Sequence, residues 1–534
     1  MTAISIPPFV ISIRIMKNKK RSFVFKRTLK CSIYAIFLIF SLSASAYFLI
    51  CNLLNFYELL FPNFFTHNST LSVLLVQLLN SILIMMNHKE DKRIYTLSQE
   101  TPAKAVIKMS VPLIFGMFIM VLYNLVDTYF IGLTGDDYQM AAVNLAYPVM
   151  MVTVAISNMI GTGASSFIAR CLGAEEKEKA EHTLTSAFTL TLINSILVTG
   201  TGLAFLPALI RLLGAKENTF LYTQQYVQII LLGSFFTMGS YTIGALLRSE
   251  GSVRYSMTGM IAGTIINIAL DPLFIFMLNM QIRGAALATI LSNAVSFGIS
   301  ALYYLRKKTI LYPSMRQIKP TAEILREIYW VGVPASLETL LTSAAYTVNN
   351  NLAVSYSELT VTAMGIAQKV LSLGNYVYQG FASGTQPIMG YNYGAGNTER
   401  MQKVLKAGVA TVTATEIILM LFYYVFASSL IDIFTDSEEV IKTGTYILHR
   451  LMWILPFVGT VSMCRMSFQA MGKPIYAFCI TLVRQLFLYI PLLLVLNQHF
   501  GFYGMLWAQP VTEAIMMAVS FILLTKFIKQ ISKK

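Results

Sequence analysis

Long apolar stretches, separated by short polar segments, follow one another along the chain from about residue 105. Each stretch reaches ~20 residues, the length at which an α-helix crosses the hydrocarbon core of a bilayer. The pattern predicts an all-α, polytopic membrane protein with twelve transmembrane helices. The predicted spans are 105–133, 140–168, 183–210, 219–247, 255–279, 283–305, 331–354, 359–390, 402–431, 440–464, 475–496 and 502–527.

The composition agrees with this fold class. Hydrophobic residues make up 56% of the 534 residues and charged residues only 12%, whereas soluble domains carry about 25% charged residues. The formal net charge of +15 would also suit a nucleic-acid-binding protein, but the sequence has no basic stripe with interleaved aromatic residues. We therefore expect the lipid bilayer, and not nucleic acid, to be the partner of the basic residues.

The basic residues also predict the orientation of the helices, because cytoplasmic loops carry an excess of Lys and Arg. If the segment before the first span is cytoplasmic, the loops and tail on that side hold most of the basic residues near the spans. The opposite side holds four, which are Arg211, Lys216, Arg283 and Lys442. The chain is therefore predicted to cross the cell membrane many times, with both ends of its twelve-helix core in the cytoplasm.

The first 104 residues form an extension with weaker apolar runs, and three interpretations of it stay open. Residues 31–51 and 71–86 could form an extra helical hairpin. The Ala-Ser-Ala sequence at 44–46 has the small-residue pattern of a signal-peptide cleavage site. Alternatively, translation begins near Met85, and residues 1–85 are not part of the protein.

The two halves of the chain repeat the same landmarks at a nearly constant offset of 220 to 222 residues. Equivalent pairs are Pro112 with Pro334, Gly163 with Gly384, Gly251 with Gly472, and Gly284 with Gly504. The offset indicates duplication of a six-helix unit, and an even number of spans makes the two units parallel repeats. The predicted domains are a lobe at 105–310, a linker at 311–330 and a lobe at 331–534.

Transport is the function that two parallel repeats favour, because such lobes enclose a cleft that rocking exposes to each side in turn. The halves differ at two acidic positions. Asp127 corresponds to Asn349 in the second half, and Asp271 corresponds to Leu492. This difference predicts a titratable site in the first lobe.

The acidic residues of the first half suit ion coupling. A carboxylate at bilayer depth is costly and usually functional, and we expect Asp127 to bind and release a proton near neutral pH. Asn267 and Asp271 share a helix face, and together they could hold a small cation with their oxygens. Pro272 lacks an N–H group and frees a carbonyl nearby. The alternative is that Asp127 only fixes helix packing and Asp271 only caps a helix.

Three further acidic residues, Glu338, Glu416 and Glu513, fall within predicted spans. They either face the cleft and attract cationic substrates or pair with basic residues such as Arg450 and Arg484. We expect those basic residues to lock helices together. The candidate residues of the substrate cavity are Asn349, Glu338, Gln386 and Glu513.

The sequence lacks the motifs of enzymes and of cofactor sites. Gly161-Thr-Gly163 follows no strand and precedes no Lys-Ser or Lys-Thr, so it is not a phosphate loop. The five cysteines have no metal-binding spacing. We predict that the protein is not an enzyme and holds no cofactor, and no metal beyond a transient sodium ion.

Three segments resemble the multidrug and toxic compound extrusion (MATE) family. They are 124–132 (NLVDTYFIG), 267–276 (NIALDPLFIF) and 386–395 (QPIMGYNYGA). The resemblance covers about 105–530 and implies export of bulky, often cationic organic molecules in exchange for protons or sodium ions. It also implies a cation-coupling site formed by Asp127, Asn267, Asp271 and Thr289.

The resemblance has one departure. Some members carry an acidic residue on the seventh helix where this chain has Thr342, which puts a sodium site in the second lobe in doubt. We expect the protein to act as a monomer on drugs or other small organic molecules.

Two alternatives come from other functional classes. A flippase for lipid-linked saccharides would need a cleft rich in Arg or Lys and usually two additional helices, but the intramembrane cations Lys369, Arg450 and Arg484 all fall in the second half. A membrane-embedded enzyme would need a metal or nucleophile constellation, which the sequence does not show.

Overall fold

The computed structural model describes residues 91–133, 136–306, 309–314, 317–354, 356–435 and 437–532. The hairpin and the signal-peptide cleavage site predicted for the N-terminal extension lie outside the described residues. The α-helices in chain order are α1 (Asp91–Ser98), α2 (Pro102–Leu133), α3 (Asp137–Gly173), α4 (Lys177–Ala204), α5 (Leu206–Leu212), α6 (Glu217–Leu232), α7 (Ser234–Ser249), α8 (Val253–Pro272), α9 (Ile282–Leu305), α10 (Ala322–Val354), α11 (Glu358–Gly394), α12 (Thr398–Asp432), α13 (Glu438–Leu451), α14 (Leu455–Ala470), α15 (Pro474–Leu482) and α16 (Ile490–Ile531).

The described helices are consistent with twelve membrane crossings. Eight helical stretches are long and apolar enough to cross a membrane, and α6 with α7, bent by 51°, forms a ninth. The stretch Pro474–Ile531 has 58 residues, which would span about 87 Å as one helix, and Gly501 breaks it with a φ of 59°. It therefore holds two crossings. Helices α10 and α11 are as long as the others, with 33 and 37 residues, but they are more polar.

Internal packing divides the chain into two compact units. The described residues of the smaller unit are Ala353–Leu371 and Leu421–Arg450. Within it, the Tyr423 hydroxyl donates to the Val370 carbonyl at 2.9 Å. The larger unit comprises His88–Leu352, Ser372–Met420 and Leu451–Lys534, and it holds all of the contacts discussed below unless stated. The predicted division into lobes 105–310 and 331–534 stays a prediction.

The backbone itself shows the repeat. Three pairs of residues with positive φ lie 220 or 221 positions apart, at equivalent turns of the two halves. The pairs are Glu175 with Gly396, Gly251 with Gly472, and Gln281 with Gly501. Glycine adopts this left-handed region without steric cost, so the two first-half positions that carry other residues keep a conformation that the second half reaches with glycine.

Helices of the two repeats approach each other closely at glycines. Gly163 of α3 faces the carbonyl of Ile328 in α10, and the equivalent Gly384 of α11 faces the backbone of Ser110 in α2. A Cβ atom at either glycine would overlap these atoms. Small residues at such crossings let helix backbones come together, so the sequence requires glycine at both positions.

Polar bonds reinforce the same packing. The Ser166 hydroxyl of α3 donates to the Gln469 carbonyl of α14 at 2.6 Å. Arg170, one turn further along α3, forms an ion pair with Glu327 of α10 at 2.7 Å. Both contacts join a helix of the first repeat to a helix of the second.

The short helix α1 contacts both repeats, although it precedes the predicted twelve-helix core. The Arg93 guanidinium lies over the rings of Tyr255 and Tyr303, with its central carbon 5.6 Å and 5.3 Å from their centroids. The Asn392 amide of α11 donates to the Leu97 carbonyl at 2.9 Å. Helix α1 therefore ties together the ends of helices that come from opposite halves.

Candidate functional site

The structure brings Asn267 and Asp271 together inside the first half. Both lie on one face of α8, and the Asn267 amide nitrogen donates to a carboxylate oxygen of Asp271 at 3.3 Å. Asn267 is 1% exposed and Asp271 is 0% exposed. The Asn267 carbonyl oxygen has no hydrogen-bond partner among the described residues. An amide oxygen and a carboxylate thus lie together at a buried position. A proton or a small cation bound there would neutralise the negative charge of the carboxylate.

The helix changes its geometry directly after this pair. Pro272 ends α8, and Leu273–Met277 form a π-helical turn in which the Leu278 N–H donates to the Leu273 carbonyl at 2.9 Å. Because Pro272 has no N–H, it cannot donate to the carbonyl of Ile268, four residues earlier. The disturbance that the sequence predicted at Pro272 is therefore present, next to Asp271.

Asp127 lies in α2, but its side chain is outside the described part of the structure. Phe130, less than one turn later, makes an edge-to-face contact with Phe276 of the π-helical turn, with ring centroids 6.2 Å apart. Nearer the start of α2, Gly116 packs against Met257 of α8. Helix α2 therefore runs along α8, and the turn of α2 that carries Asp127 lies beside the end of α8.

Thr289 is buried on α9, which packs against α8. Its hydroxyl donates to the Ala285 carbonyl of its own helix at 3.0 Å, and its carbonyl accepts from the Asn293 amide at 3.0 Å. The hydroxyl proton is thus engaged within α9, whereas the hydroxyl oxygen keeps lone pairs that can accept a hydrogen bond or coordinate a cation.

Glu338, a predicted cavity residue, is engaged in an ion pair. Its carboxylate contacts the Arg465 guanidinium of α14, and its second oxygen accepts from the Gln469 amide at 3.2 Å. The Glu338 and Arg465 side chains are 13% and 15% exposed. This group joins α10 to α14 and leaves no uncompensated negative charge at Glu338 for a cationic substrate.

The remaining acidic residues of the second half differ in their surroundings. Glu513 of α16 pairs with Arg484 at 3.4 Å and is 3% exposed, so the pairing expected for Arg484 is present. Glu416 of α12 is fully buried, and neither of its carboxyl oxygens has a hydrogen-bond partner among the described residues. In the smaller unit, the Arg450 guanidinium lies 3.4 Å above the Tyr446 ring.

The two amide candidates of the second half lie at different depths. Asn349 is buried in α10. Gln386 of α11 lines a polar cavity of about 10 Å³ together with Arg248 and Ser165, which is about enough space for one water molecule. The shared substrate cavity predicted for Asn349, Glu338, Gln386 and Glu513 stays a prediction.

Two partly buried arginines, Arg465 and Arg248, lie outside the predicted spans. Arg465 and Arg248 each follow the end of a predicted span by one residue, whereas α14 continues to Ala470 and α7 to Ser249. The predicted spans therefore leave both residues in loops. The repeat offers a signal for both, because Arg465 corresponds to Gly244 of the first half and Arg248 corresponds to Gln469 of the second, so each half carries a charge where the other has none.

Comparison with known proteins agrees with this architecture. The model of the MatE family matches residues 112–273 and again 334–495, which together are more than half of the chain. This chain belongs to the MATE family. The two matches begin 222 residues apart, at Pro112 and Pro334, so the family model finds the same duplication that the landmarks indicate. The chain is accordingly a multi-pass membrane transporter and not an enzyme.

Relatives of this MATE protein include proteins named as multidrug exporters. The multidrug export protein MepA of Staphylococcus saprophyticus is 28% identical over 426 residues, which are 80% of this chain and 94% of that protein. MepA of Staphylococcus aureus is 26% identical over the same length, with the same coverage.

Solved MATE structures share the fold of this chain. An outward-facing multidrug resistance MATE transporter of the MOP superfamily superposes with a TM-score of 0.80, at 28% identity over 84% of this chain and 100% of that one. A MOP superfamily transporter from Pyrococcus furiosus, reported with reversed polarity of its binding pocket, gives a TM-score of 0.79 at the same identity and coverage.

Proposed function

We propose that this MATE protein is a secondary antiporter that exports drugs or other organic compounds in exchange for protons or sodium ions. The observation that carries the proposal is the buried Asn267–Asp271 pair, beside the turn of α2 that carries Asp127. The relatives named multidrug export proteins support the substrate class. The substrates are small organic molecules. We expect one copy of the chain to be sufficient for transport.

The coupling scheme follows from charge. In the unloaded site, Asp271 is an anion in the protein interior, a state that favours any cation able to reach it. Binding of a proton or a sodium ion neutralises the carboxylate, with Asn267 supplying an oxygen or an N–H group according to which ion binds. We infer that this change alters the packing of α2 and α8, loosens the substrate and permits the cleft to reopen on the other side.

We infer that the interface between the two repeats has two arrangements, one closed and one open. Gly163 and Gly384 allow the halves to close at one end, and Arg170 pairs with Glu327 there. The basic residues predict that this end is cytoplasmic, which supports placement in the cell membrane with both core termini in the cytoplasm. Closure at that end would leave the cleft open outward, ready to release substrate and accept the coupling ion.

The available driving force is adequate for export. One charge crossing the membrane releases ~2.3 kcal/mol per 100 mV, and each pH unit adds ~1.4 kcal/mol for a proton. Because ~1.4 kcal/mol corresponds to a tenfold concentration ratio, one proton driven by 100 mV and one pH unit together would support a gradient of roughly several hundredfold for a neutral substrate.

Efflux from sealed vesicles tests the proposal. Asp127→Asn and Asp271→Asn should each abolish drug efflux driven by an imposed gradient, while the protein still inserts in the membrane. Separate pH and sodium gradients would identify the ion. The control is Glu399→Gln, at an exposed residue paired with Lys403, which should export normally. If both aspartate variants export like the wild type, the coupling site is elsewhere.

The flippase alternative has less support. A phosphate-bearing lipid would need unneutralised cations in the cleft, but Arg465 is paired with Glu338 and Arg484 with Glu513. Transport of lipid-linked saccharide by vesicles that fail to export organic cations would favour it over the drug antiporter.

A further inference from the structure

We propose that Glu416 in the second half is a proton-binding carboxyl group that is separate from the coupling site at Asp127 and Asp271. The ligand is a proton, taken up where helices α11, α12 and α14 pack together. This inference goes beyond the proposed antiport, because the binding of this proton can be measured without transport.

The first argument is burial without a partner. Glu416 is 0% exposed, and neither carboxyl oxygen has a hydrogen-bond partner of ordinary distance and angle among the described residues, although the Tyr378 backbone of α11 lies beside it. An ionised carboxylate is strongly disfavoured in an apolar interior unless it is paired or hydrogen-bonded. The neutral acid is therefore the form that this packing accepts.

The second argument concerns space. Gly374 of α11 lies so close that an added Cβ would be 3.5 Å from a carboxyl oxygen of Glu416, and the same Cβ would contact Leu419 and Leu455. Hard metal cations need several oxygen ligands, whereas these neighbours are a glycine and two leucines. A proton is the cation that this site can hold without rearrangement.

The third argument is the state of the nearby charges. From α11, Tyr378 lies within electrostatic reach of Glu416 and also of the Arg484–Glu513 pair. Arg484 is already neutralised by Glu513.

The helix on the other side offers no free cation either. On α14, the one charged residue is Arg465, ten positions after Leu455, and it pairs with Glu338. Among the described residues that face Glu416, none is a basic group left to stabilise its ionised form.

The repeat shows that this carboxyl group is an addition to the scaffold. The first-half position equivalent to Glu416 is Ser195, which is buried and whose hydroxyl donates to the Leu192 carbonyl at 2.8 Å. The first half thus has, at this position, a small hydroxyl group that is hydrogen-bonded within its own helix. Loss of the proton from Glu416 would place a bare charge between α11, α12 and α14, so those helices must separate enough to admit water or a cation.

Infrared spectroscopy of the purified full-length protein in lipid tests this directly. The wild type should show a buried carboxylic acid C=O band that persists at neutral pH, and Glu416→Gln should remove it while leaving the fold intact. An alkaline pH step should release one proton fewer from the variant. Glu399→Gln is the matched control on the same helix, because Glu399 is 79% exposed and should leave the band unchanged.

Stability against pH provides a second readout. The native state holds the proton on Glu416, whereas the unfolded chain releases it above a pH of about 4.3. The wild-type unfolding temperature should therefore fall as the pH rises above about 4.3, and Glu416→Gln should flatten that fall. If the variant keeps both the acid band and the pH slope of the wild type, the proposal is wrong.

The same measurements separate this proposal from the antiport scheme. Asp271→Asn should lose efflux and keep the Glu416 band. Loss of the Glu416 band in Asp271→Asn would contradict the independence of the two groups, whatever the efflux result.

Discussion

Gly173 packs against the backbone carbonyl of Tyr391, and its repeat equivalent Gly394 packs against the backbone carbonyl of Arg170. Arg170 and Tyr391 are themselves equivalent positions in the repeat. Each half therefore contributes its glycine to one contact and its carbonyl to the other. The ends of α3 and α11 therefore meet through one self-complementary surface, as in a twofold-symmetric interface. Such a surface can open as a unit when the halves rock.

A methyl group at this surface should disfavour the closed arrangement. In Gly173→Ala, the new Cβ would overlap the Tyr391 carbonyl, and overpacking of this kind costs about 1–3 kcal/mol. We expect the ratio of closed to open molecules at this end to fall by a factor of roughly 5 to 150. A cysteine placed at this interface should react faster with a thiol label, because the interface is open for more of the time. The rate of export should fall.

Gly298 provides the control for that experiment. It lies within α9, and an added Cβ would meet no atom within 4 Å. Gly298→Ala should be neutral or should stabilise the protein by up to ~1 kcal/mol, because glycine is unfavourable in a helix interior. Equal effects of the two substitutions would mean that the packing at Gly173 does not govern closure.

Removing one member of the Glu338–Arg465 ion pair should destabilise the protein more than replacing both members with apolar residues. Removing one partner leaves the other buried and uncompensated, so Glu338→Gln or Arg465→Gln should each destabilise the protein by ~3–5 kcal/mol. The double substitution Glu338→Leu with Arg465→Met should recover most of this loss. Unfolding temperatures in detergent measure all three variants.

Export assays then separate packing from binding at this pair. A double variant that is stable and still exports cationic drugs would show that Glu338 serves to join helices. A stable double variant that loses export of cations but keeps export of neutral compounds would instead assign Glu338 to substrate recognition.

The helical scaffold was largely predictable from sequence because apolar length and charge placement act locally. The duplication was visible at Pro112 and Pro334, where the family matches also begin. Helix ends were less predictable, since the end of an apolar run need not be the end of a helix. The predicted span 440–464 therefore stops just before Arg465, although α14 continues to Ala470.

The candidate site was predictable only where spacing within one helix decides the geometry. Asn267 and Asp271 are four residues apart, so one helix brings them together. The pairing of Glu338 with Arg465 depends on how α10 crosses α14, which no periodicity in either helix reveals. The positive φ of Gln281 was equally hidden, although the equivalent Gly501 gave an indirect signal.

Glu250 should make stability depend on pH outside the membrane-spanning helices. Burial raises the pKa of its carboxyl to about 7, although Thr309 and the Ile310 N–H donate to it and Arg93 lies nearby. The native state therefore holds a proton between pH ~4.3 and ~7 that the unfolded chain has released. Stability should fall by up to ~3 kcal/mol across that range and level off above it.

Thermal unfolding of Glu250→Gln measured from pH 4 to pH 8 checks this expectation. The glutamine keeps the acceptor oxygen and cannot ionise, so the decline between pH ~4.3 and ~7 should be smaller than in the wild type. An identical pH profile for the two proteins would show that Glu250 is ionised in the native state.

The turns at Glu175 and Gly396 offer a comparison of backbone strain within one chain. Glu176 N–H donates to the Cys171 carbonyl at 2.9 Å, and Asn397 N–H donates to the Asn392 carbonyl at 2.9 Å, so both turns end a helix in the same way. The φ values are 62° at Glu175 and 68° at Gly396. A helix end of this type favours glycine at the left-handed position.

Glu175→Gly should therefore stabilise the protein by about 0.5–1 kcal/mol, because relief of ~1–2 kcal/mol of left-handed strain exceeds the added freedom of the unfolded chain. Gly396→Ala should destabilise it by a similar amount. Glu178→Gly, an exposed position three residues later in the first turn of α4, makes the same chemical change at a helical φ and should cost up to ~1 kcal/mol. Opposite signs for Glu175→Gly and Glu178→Gly in thermal unfolding would locate the strain at the turn, whereas equal signs would show that the charge, and not the backbone, sets the effect.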